Sequence, residues 1–393
     1  MGSGLNPQYF FVKDVLRRST LGMHTILRSV SIAFLLGSSV SGIAQVTGGQ
    51  RAFEFLRLSP SARTTALGGI NVSDPTPNIA TALQNPALMR PGLHNQLAVQ
   101  YNNYHAGINI VNLQHGYHSE KWNTSFFGGV QYINYGSFDE TDVYGNTIGS
   151  FRGTDFTVAV GASKQYRERW RGGMTLKYAN SRYGTISAGA LLADVGVMYA
   201  DTERRITIGA VAKNLGFMTR KYNPSATAEP LPFDLQIGFS KRLARAPLRF
   251  HVTAHHLYEW DIRYNNPADV TFNNLSGSAD SSADTKSYFT DKLARHLLVG
   301  ADLLIGKRIA ITVAYNHLRR GELALKEKTA LAGFSFGAGV NLDRFQIQYA
   351  RSYYHLASAT NEFGLNIQLN KTVGIGNATE RLRWNAVYPD WNN

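Results

Sequence analysis

Three histidines lie within six residues of one another, at His251, His255 and His256. If this stretch is extended, His251 and His255 share one face, because side chains alternate between the two faces of a strand. Such a cluster could bind a metal ion or carry protons. No carboxylate stands at ligand spacing on the same stretch, which a metal site would be expected to supply. We therefore expect buried histidines that are hydrogen-bonded to their neighbours, and we predict no metal and no cofactor.

The segment 265–292 is rich in Asn, Asp and Ser. Asp280, Asp284 and Asp291 could offer oxygen ligands to calcium, but their spacing is not that of an EF-hand loop. A solvated connection is the favoured interpretation. We predict that this loop, together with residues 216–230, forms much of a partner-binding surface. The proposed contact residues are Phe272, Asn273, Asn274, Leu275, Tyr288 and Phe289.

Two glycine pairs, Gly128-Gly129 and Gly172-Gly173, lie inside strand-like stretches. They lack the GxxxxGK[ST] frame of a phosphate-binding loop, so strand kinks or close packing explain them better. The sequence offers no convincing Ser-His-Asp arrangement, no paired-carboxylate signature and no HExxH motif. These observations predict a non-enzymatic protein.

The elements that would position these residues are fourteen alternating segments between residues 95 and 371. In one of them Phe233, Leu235 and Ile237 alternate with Asp234 and Gln236. Many segments are longer than the five or six residues typical of soluble strands, which suits a tilted membrane crossing. The predicted strands are 95–105, 107–118, 121–135, 149–166, 169–183, 186–201, 204–215, 231–243, 246–260, 293–306, 308–319, 330–342, 343–356 and 360–371.

The connections between these segments alternate between tight and long. An even strand number with this rhythm is typical of a closed antiparallel barrel in a bacterial outer membrane, since lipid offers no partner to a free sheet edge. We predict an all-β, 14-stranded transmembrane barrel over residues 95–371, with both termini in the periplasm. The longer connections, predicted to be extracellular, are 136–148, 216–230, 261–292 and 320–329.

The chain has 393 residues, no Cys and a formal net charge of +13. The basic charges are scattered over turns and strand ends, which favours anionic lipid head groups over nucleic acid as their partner. Residues 1–44 read as a signal peptide, in which Arg28 precedes an apolar run and cleavage follows Ala44. Translation is predicted to start at Met23. The alternative to a signal peptide in residues 1–44 is an N-terminal membrane anchor. Residues 372–393 are predicted to be a periplasmic tail.

Residues 45–94 precede the first strand and combine small residues with a few apolar ones. Small residues let backbones approach closely, and a barrel of this size is too wide for its own side chains to fill. We predict that this segment is a lumen plug. Its motif residues are Phe53, Phe55, Leu56, Ser61, Ala62, Arg63, Ala66, Leu67, Gly68, Gly69, Asn85 and Pro86.

The string FEFLRLSPSARTTALGG, followed by NPAL, resembles the start of the FadL-like outer-membrane barrels associated with the type IX secretion system. The resemblance extends from Gly49 to about Leu369. It implies a FadL-like barrel in the outer membrane of a Gram-negative, Bacteroidota-type bacterium. It further implies an anchor for a PorZ-like surface subunit and other proteins of the complex that attaches cargo to lipopolysaccharide. Two alternatives stay open: a transporter of hydrophobic small molecules, and a PorV-like carrier of cargo sorting domains.

Overall fold

The computed structural model describes residues 51–262, 289–323, 331–355 and 358–374. The predicted signal peptide with Met23 lies outside the described residues, as does the tail beyond residue 374. The same holds for Asp280 and Asp284, and for five of the proposed partner contacts: Phe272, Asn273, Asn274, Leu275 and Tyr288.

Fourteen antiparallel strands form one closed barrel in which each strand pairs with its sequence neighbours. The barrel closes where the first strand pairs with the last, from Gln96↔Gln368 to Asn103↔Asn361. The prediction of a 14-stranded antiparallel barrel is confirmed. The strands are β1 Gln96–Asn103, β2 Asn109–Ser119, β3 Thr124–Thr141, β4 Thr147–Arg167, β5 Trp170–Tyr183, β6 Ile186–Asp201, β7 Ile206–Arg220, β8 Asp234–Arg242, β9 Leu248–Ala254, β10 Leu297–Ile305, β11 Ile309–Asn316, β12 Phe334–Asn341, β13 Phe345–His355 and β14 Ser358–Gln368.

Burial alternates along the strands and separates an apolar outer face from a polar inner face. In β8, Asp234 and Gln236 are buried, whereas Leu235 and Ile237 are 36% and 47% exposed. Such an outward band of large apolar side chains is the surface that a barrel presents to lipid. In the part of the chain that the structure describes, none of the helices has the length and apolar character needed to cross a membrane.

The two ends of the barrel differ. Six short connections, at 120–123, 168–169, 202–205, 243–247, 306–308 and 342–344, lie together at what we call the turn end. The described residues of the remaining connections lie at the opposite end, which we call the loop end. Two helices occur there, Phe289–His296 and His317–Leu323. Neither helix was predicted.

Several predicted loop-end boundaries were wrong. Residues 136–141, 147–148 and 216–220, expected in connections, are strand residues of β3, β4 and β7. Conversely, the strand expected to reach residue 260 ends at Ala254. His256 explains that stop, since its φ of 54° is left-handed and cannot continue an extended strand.

Residues 51–94, which we call the lumen segment, consist of short helical turns. They are Glu54–Arg57, Ala62–Ala66, Ile79–Leu83, Pro86–Leu88 and Pro91–Leu93. Side chains cap three of these turns: Ser61 accepts from the Thr64 N–H, and Asn78 and Asn85 each accept from the N–H two residues on.

The lumen segment contacts strands on different sides of the closed barrel. Thr65 donates a hydrogen bond to Glu362 of β14, and Ser73 lies 2.8 Å from Ser240 of β8 through their hydroxyl oxygens. Around the closed barrel, the five strands β9 to β13 lie between β8 and β14 in one direction, and the seven strands β1 to β7 lie between them in the other. A single short segment can reach both strands only from inside the barrel.

Candidate functional site: the lumen segment and its wall

Arg63 is the centre of the polar contacts between the lumen segment and the barrel wall. It belongs to the helix Ala62–Ala66 and is 3% exposed. Its Nε donates to Asp74 Oδ2 at 2.7 Å. Its Nη1 and Nη2 donate to Oδ1 and Oδ2 of Asp302 on β10, each at 2.8 Å. A planar guanidinium suits this two-point recognition of a carboxylate.

His251 joins the same contacts from β9. Its Nε2 lies 2.9 Å from Asp302 Oδ2, and its Nδ1 lies 2.7 Å from the Ser240 hydroxyl. Arg249 approaches both Asp74 and Asp302 at 3.7 Å. We call Arg63, Asp74, Arg249, His251 and Asp302 the central charge cluster. It balances two guanidinium groups against two carboxylates.

Burial of the central charge cluster is nearly complete, so its partners depend on one another. Burial alone would raise the pKa of Asp74, but the charge of Arg63 and its hydrogen bonds lower it to about 2, with help from His251 and Arg249. Removing one partner of a buried ion pair leaves an uncompensated charge and typically costs about 3–5 kcal/mol. The cluster therefore ties the lumen segment to β9 and β10.

A second set of polar contacts ties the lumen segment to the strands where the barrel closes. Gln100 of β1 accepts from the Ala62 N–H at 3.1 Å, and Asn78 donates to Gln348 of β13 at 3.1 Å. Asn85 donates to the Val72 carbonyl at 2.9 Å and holds two parts of the lumen segment together.

Glycines of the inner wall let the lumen segment approach the strands closely. A Cβ on Gly173 would lie 2.6 Å from the Pro86 carbonyl carbon, and one on Gly337 would lie 2.4 Å from the Ala66 Cβ. Gly173 thus packs against the lumen segment, as one of the two sequence interpretations expected. Its neighbour Gly172 has no atom within 4 Å of such a Cβ, and Gly128 has only one, at 3.9 Å.

Towards the loop end, the lumen segment packs through apolar side chains. Phe53 and Phe55 are buried with Ile110, Ile133 and Leu192 of the wall. Phe53 has a left-handed φ of 58°, which is rare for an aromatic residue. In this conformation the ring of Phe53 packs against that of Phe55, with 6.1 Å between the ring centroids.

His255 and His256 lie beyond β9 and do not join His251. Their Nδ1 atoms are 2.6 Å apart, and Arg57 Nη1 lies 2.8 Å from His256 Nε2. Burial lowers the pKa of each ring to about 3, helped by neighbouring positive groups. Both rings are therefore neutral at neutral pH. Within the described ranges, no group of three or more His, Asp or Glu side chains is arranged to hold a metal ion.

Three small cavities lie between the lumen segment and the wall, with volumes of about 40, 30 and 10 Å³. The first two share Leu56, Gln84 and Lys213 in their lining. A water molecule needs roughly 10–15 Å³ measured in this way. On this scale the first two cavities fit about two to four waters each, and the third fits about one at most.

The structure brings most of the predicted motif residues into contact with the wall or into the cap of a helix. Leu67, Gly68 and Gly69 follow the helix Ala62–Ala66, and a Cβ on Gly68 would lie 2.6 Å from Leu298 of β10. Phe289, the one proposed partner contact among the described residues, is 64% exposed, and its ring centroid lies 5.3 Å from that of Trp260. Sequence reasoning missed Asp74, Arg249 and Asp302, since nothing in the local pattern marks them as partners of Arg63.

A closed antiparallel barrel with an apolar exterior and an occupied, polar interior is an integral β-barrel of the outer-membrane type. No protein-family model matches the sequence, and no curated protein matches it.

Several solved outer-membrane channels are similar in structure. A TodX monoaromatic hydrocarbon channel deletion mutant matches with 13% identity and a TM-score of 0.48, over 78% of this chain and 96% of that one. The Pseudomonas putida toluene transporter TodX matches with 14% identity and a TM-score of 0.45, over 79% and 96%. A Pseudomonas aeruginosa FadL homologue matches with 10% identity and a TM-score of 0.41, over 78% and 97%. No function transfers to this chain at that level of similarity.

Proposed function

We propose that the protein is a non-enzymatic, PorQ-like component of the type IX secretion system. In this role the barrel anchors a PorZ-like surface subunit of the cargo attachment complex through its loop end, which faces the cell exterior. The turn end and both termini then face the periplasm. The resemblance of the N-terminal motif supports an assignment to the type IX secretion system. The occupied lumen supports anchoring as the role of the barrel.

The observation that carries the proposal is the filling of the barrel by the lumen segment. Buried side chains of this segment contact strands from β1 to β14, and the three cavities described above, between the lumen segment and the wall, have volumes of only about 40, 30 and 10 Å³. A channel requires a continuous path, whereas an anchor works with an obstructed lumen. The elements available to a partner are then those that extend from the loop end.

Affinity purification from native membranes tests this function. We expect a large surface subunit to co-purify, and we expect deletion of 268–288 to release it while the barrel stays heat-modifiable on gels. If the deletion variant still retained the subunit, residues 268–288 would not be part of the binding surface. Co-purification of secreted cargo instead would favour the PorV-like carrier.

A transporter of hydrophobic small molecules is the second candidate, and one feature of the wall favours it. Pairing between β7 and β8 ends at Lys213↔Asp234, although β7 continues to Arg220. The cavity of about 30 Å³ lies behind this point and is lined by Leu56, Lys213 and Asp234 among others. Uptake of toluene by liposomes that contain the purified barrel, above that of empty liposomes, would favour transport over anchoring.

A further inference from the structure

Beyond the barrel wall, β3 and β4 continue as a two-stranded ribbon at the loop end. Pairing of β3 with β2 ends at Asn134, and pairing of β4 with β5 begins only at Gly153. Between these points, residues 137–141 pair with residues 147–152 and with no other described strand. Each strand of the ribbon therefore has one edge of backbone groups without a strand partner.

The two edges of the ribbon differ in how they are protected. Natural proteins blunt exposed strand edges with charged side chains, prolines and bulges. The β3 edge carries two acidic residues, Asp139 and Glu140, whereas the β4 edge is uncharged at Gly149, Ser150 and Phe151 and carries the basic Arg152. The ribbon contains no Lys and no Pro. The uncharged stretch 149–151 of β4 is therefore the less protected part of the two edges.

An open groove of about 700 Å³ lies beside this β4 edge, above the connection between β5 and β6. Ser150, Phe151 and Arg152 line one side, and Arg182, Tyr183 and Ile186 line the other. The floor is formed where the Gly184 N–H donates to the Arg152 carbonyl at 3.3 Å. That hydrogen bond already uses the Arg152 carbonyl, so the part of the β4 edge that stays available to an extended chain is 149–151.

The charges of the groove favour an acidic occupant. Neither Arg152 nor Arg182 has a carboxylate within 4.0 Å among the described residues, and Glu140 is the one acidic side chain in the lining. At the tip of the ribbon, Val143 and Tyr144 are 93% and 87% exposed, and Ile148 is 65% exposed. Exposed apolar side chains of this kind mark interaction sites.

We infer that the β4 edge at residues 149–151 binds an extended segment of the surface partner by strand addition, with an acidic side chain of that segment directed to Arg152 and Arg182. Main-chain hydrogen bonds then give affinity, and the groove gives specificity. This inference rests on the proposed anchoring function, because it names the contact through which the anchored subunit is held.

Single cysteines test the inference, because the chain has no Cys of its own. Ser150→Cys places a thiol on the β4 edge, and Asp139→Cys, its direct partner across the ribbon, places one on the β3 edge. With the purified complex of barrel and surface subunit, we expect a short-reach thiol crosslinker to join the subunit to Ser150→Cys and not to Asp139→Cys. A crosslink of Ser150→Cys to a second copy, or to another part of this chain, would overturn the inference.

A binding measurement completes the test. Ser150→Pro removes the backbone N–H of this edge position without adding a charge, and we expect it to weaken retention of the subunit by about tenfold or more. The double variant Arg152→Glu/Arg182→Glu is expected to act in the same direction. Glu168→Lys, at the turn end, is the control. Unchanged retention in both edge variants would exclude strand addition; failure of the wild-type barrel to hold any subunit would instead refute the proposed function.

Discussion

Arg63 and Asp302 form two parallel hydrogen bonds of 2.8 Å each, although 239 residues separate them in the chain. One residue belongs to the lumen segment and the other to β10, so the pair joins the contents of the barrel to its wall. Asp74 completes the arrangement by binding the remaining side of the same guanidinium. The position of the lumen segment therefore depends on charges that water does not reach.

The first prediction concerns this pair. Arg63→Ala leaves Asp74 and Asp302 buried without their main counter-charge, and we expect a loss of about 3–5 kcal/mol in the free energy of unfolding. Thermal unfolding in detergent, followed by circular dichroism, measures the effect. Lys292→Ala is the control, because its ion pair with Asp261 is partly exposed and is expected to contribute about 1 kcal/mol or less. Equal effects of the two substitutions would contradict the prediction.

The second prediction uses two adjacent glycines of β5. Gly173→Ala places a Cβ 2.6 Å from the Pro86 carbonyl carbon, whereas Gly172→Ala meets nothing within 4 Å. We expect Gly173→Ala to displace the lumen segment near Pro86 and to destabilise the protein by about 1–3 kcal/mol, as overpacking typically does. Gly172→Ala is expected to behave like the wild type. Limited proteolysis of the lumen segment compares the two, and equal cleavage would count against close packing at Gly173.

The third prediction concerns acid. The pKa values of His255 and His256 lie near 3 in the folded protein, below their ordinary value of 6.5. The folded form thus binds fewer protons than the unfolded form between these two values, so stability is complete above about pH 6.5 and falls as the pH decreases towards 3.

Thermal midpoints at pH 7.5 and pH 4.5 measure this dependence. The double variant His255→Gln/His256→Gln is expected to lose less stability than the wild type between the two pH values. At pH 7.5 both wild-type rings are already neutral. Any difference in thermal midpoint between the wild type and the double variant at that pH therefore does not come from protonation of the rings. An unchanged pH dependence in the double variant would assign the acid sensitivity to other groups.

The fourth prediction concerns metal. Both ring nitrogens of His251 already have hydrogen-bond partners, Asp302 and Ser240. We therefore expect titration with Ni²⁺ or Zn²⁺ to leave the thermal midpoint unchanged, with EDTA-treated protein as the control. A stabilising shift that disappears in His251→Gln would indicate a metal site.

Much of the barrel could be predicted because strand periodicity is local. The alternation of Leu235 and Ile237 with Asp234 and Gln236 identifies inner and outer faces without any knowledge of neighbouring strands. The six short connections of the turn end were also predicted correctly, because the signals that end a strand are local as well. The helix Phe289–His296 was missed because its residues were read as the end of a polar loop and the start of a strand.

The central charge cluster could not be predicted from the sequence. Arg63 stood out through its motif, but its partners Asp74 and Asp302 are ordinary polar positions in the local pattern. They are partners of Arg63 only because the closed barrel places these inner-facing residues next to the helix Ala62–Ala66. Similarly, Gly173 and Gly172 are indistinguishable in the sequence, and only the face on which each lies separates a packing position from an open one.

The contacts of the lumen segment constrain the order in which the molecule is assembled. Residues 51–94 are synthesised before all of the strands, yet Thr65 binds Glu362 of β14 and Asn78 binds Gln348 of β13. Their final positions exist only once β13 and β14 have been added and β1 has paired with β14. A segment that is made before every strand is therefore the last to reach its final position, and a partly inserted barrel remains open until its final strand arrives.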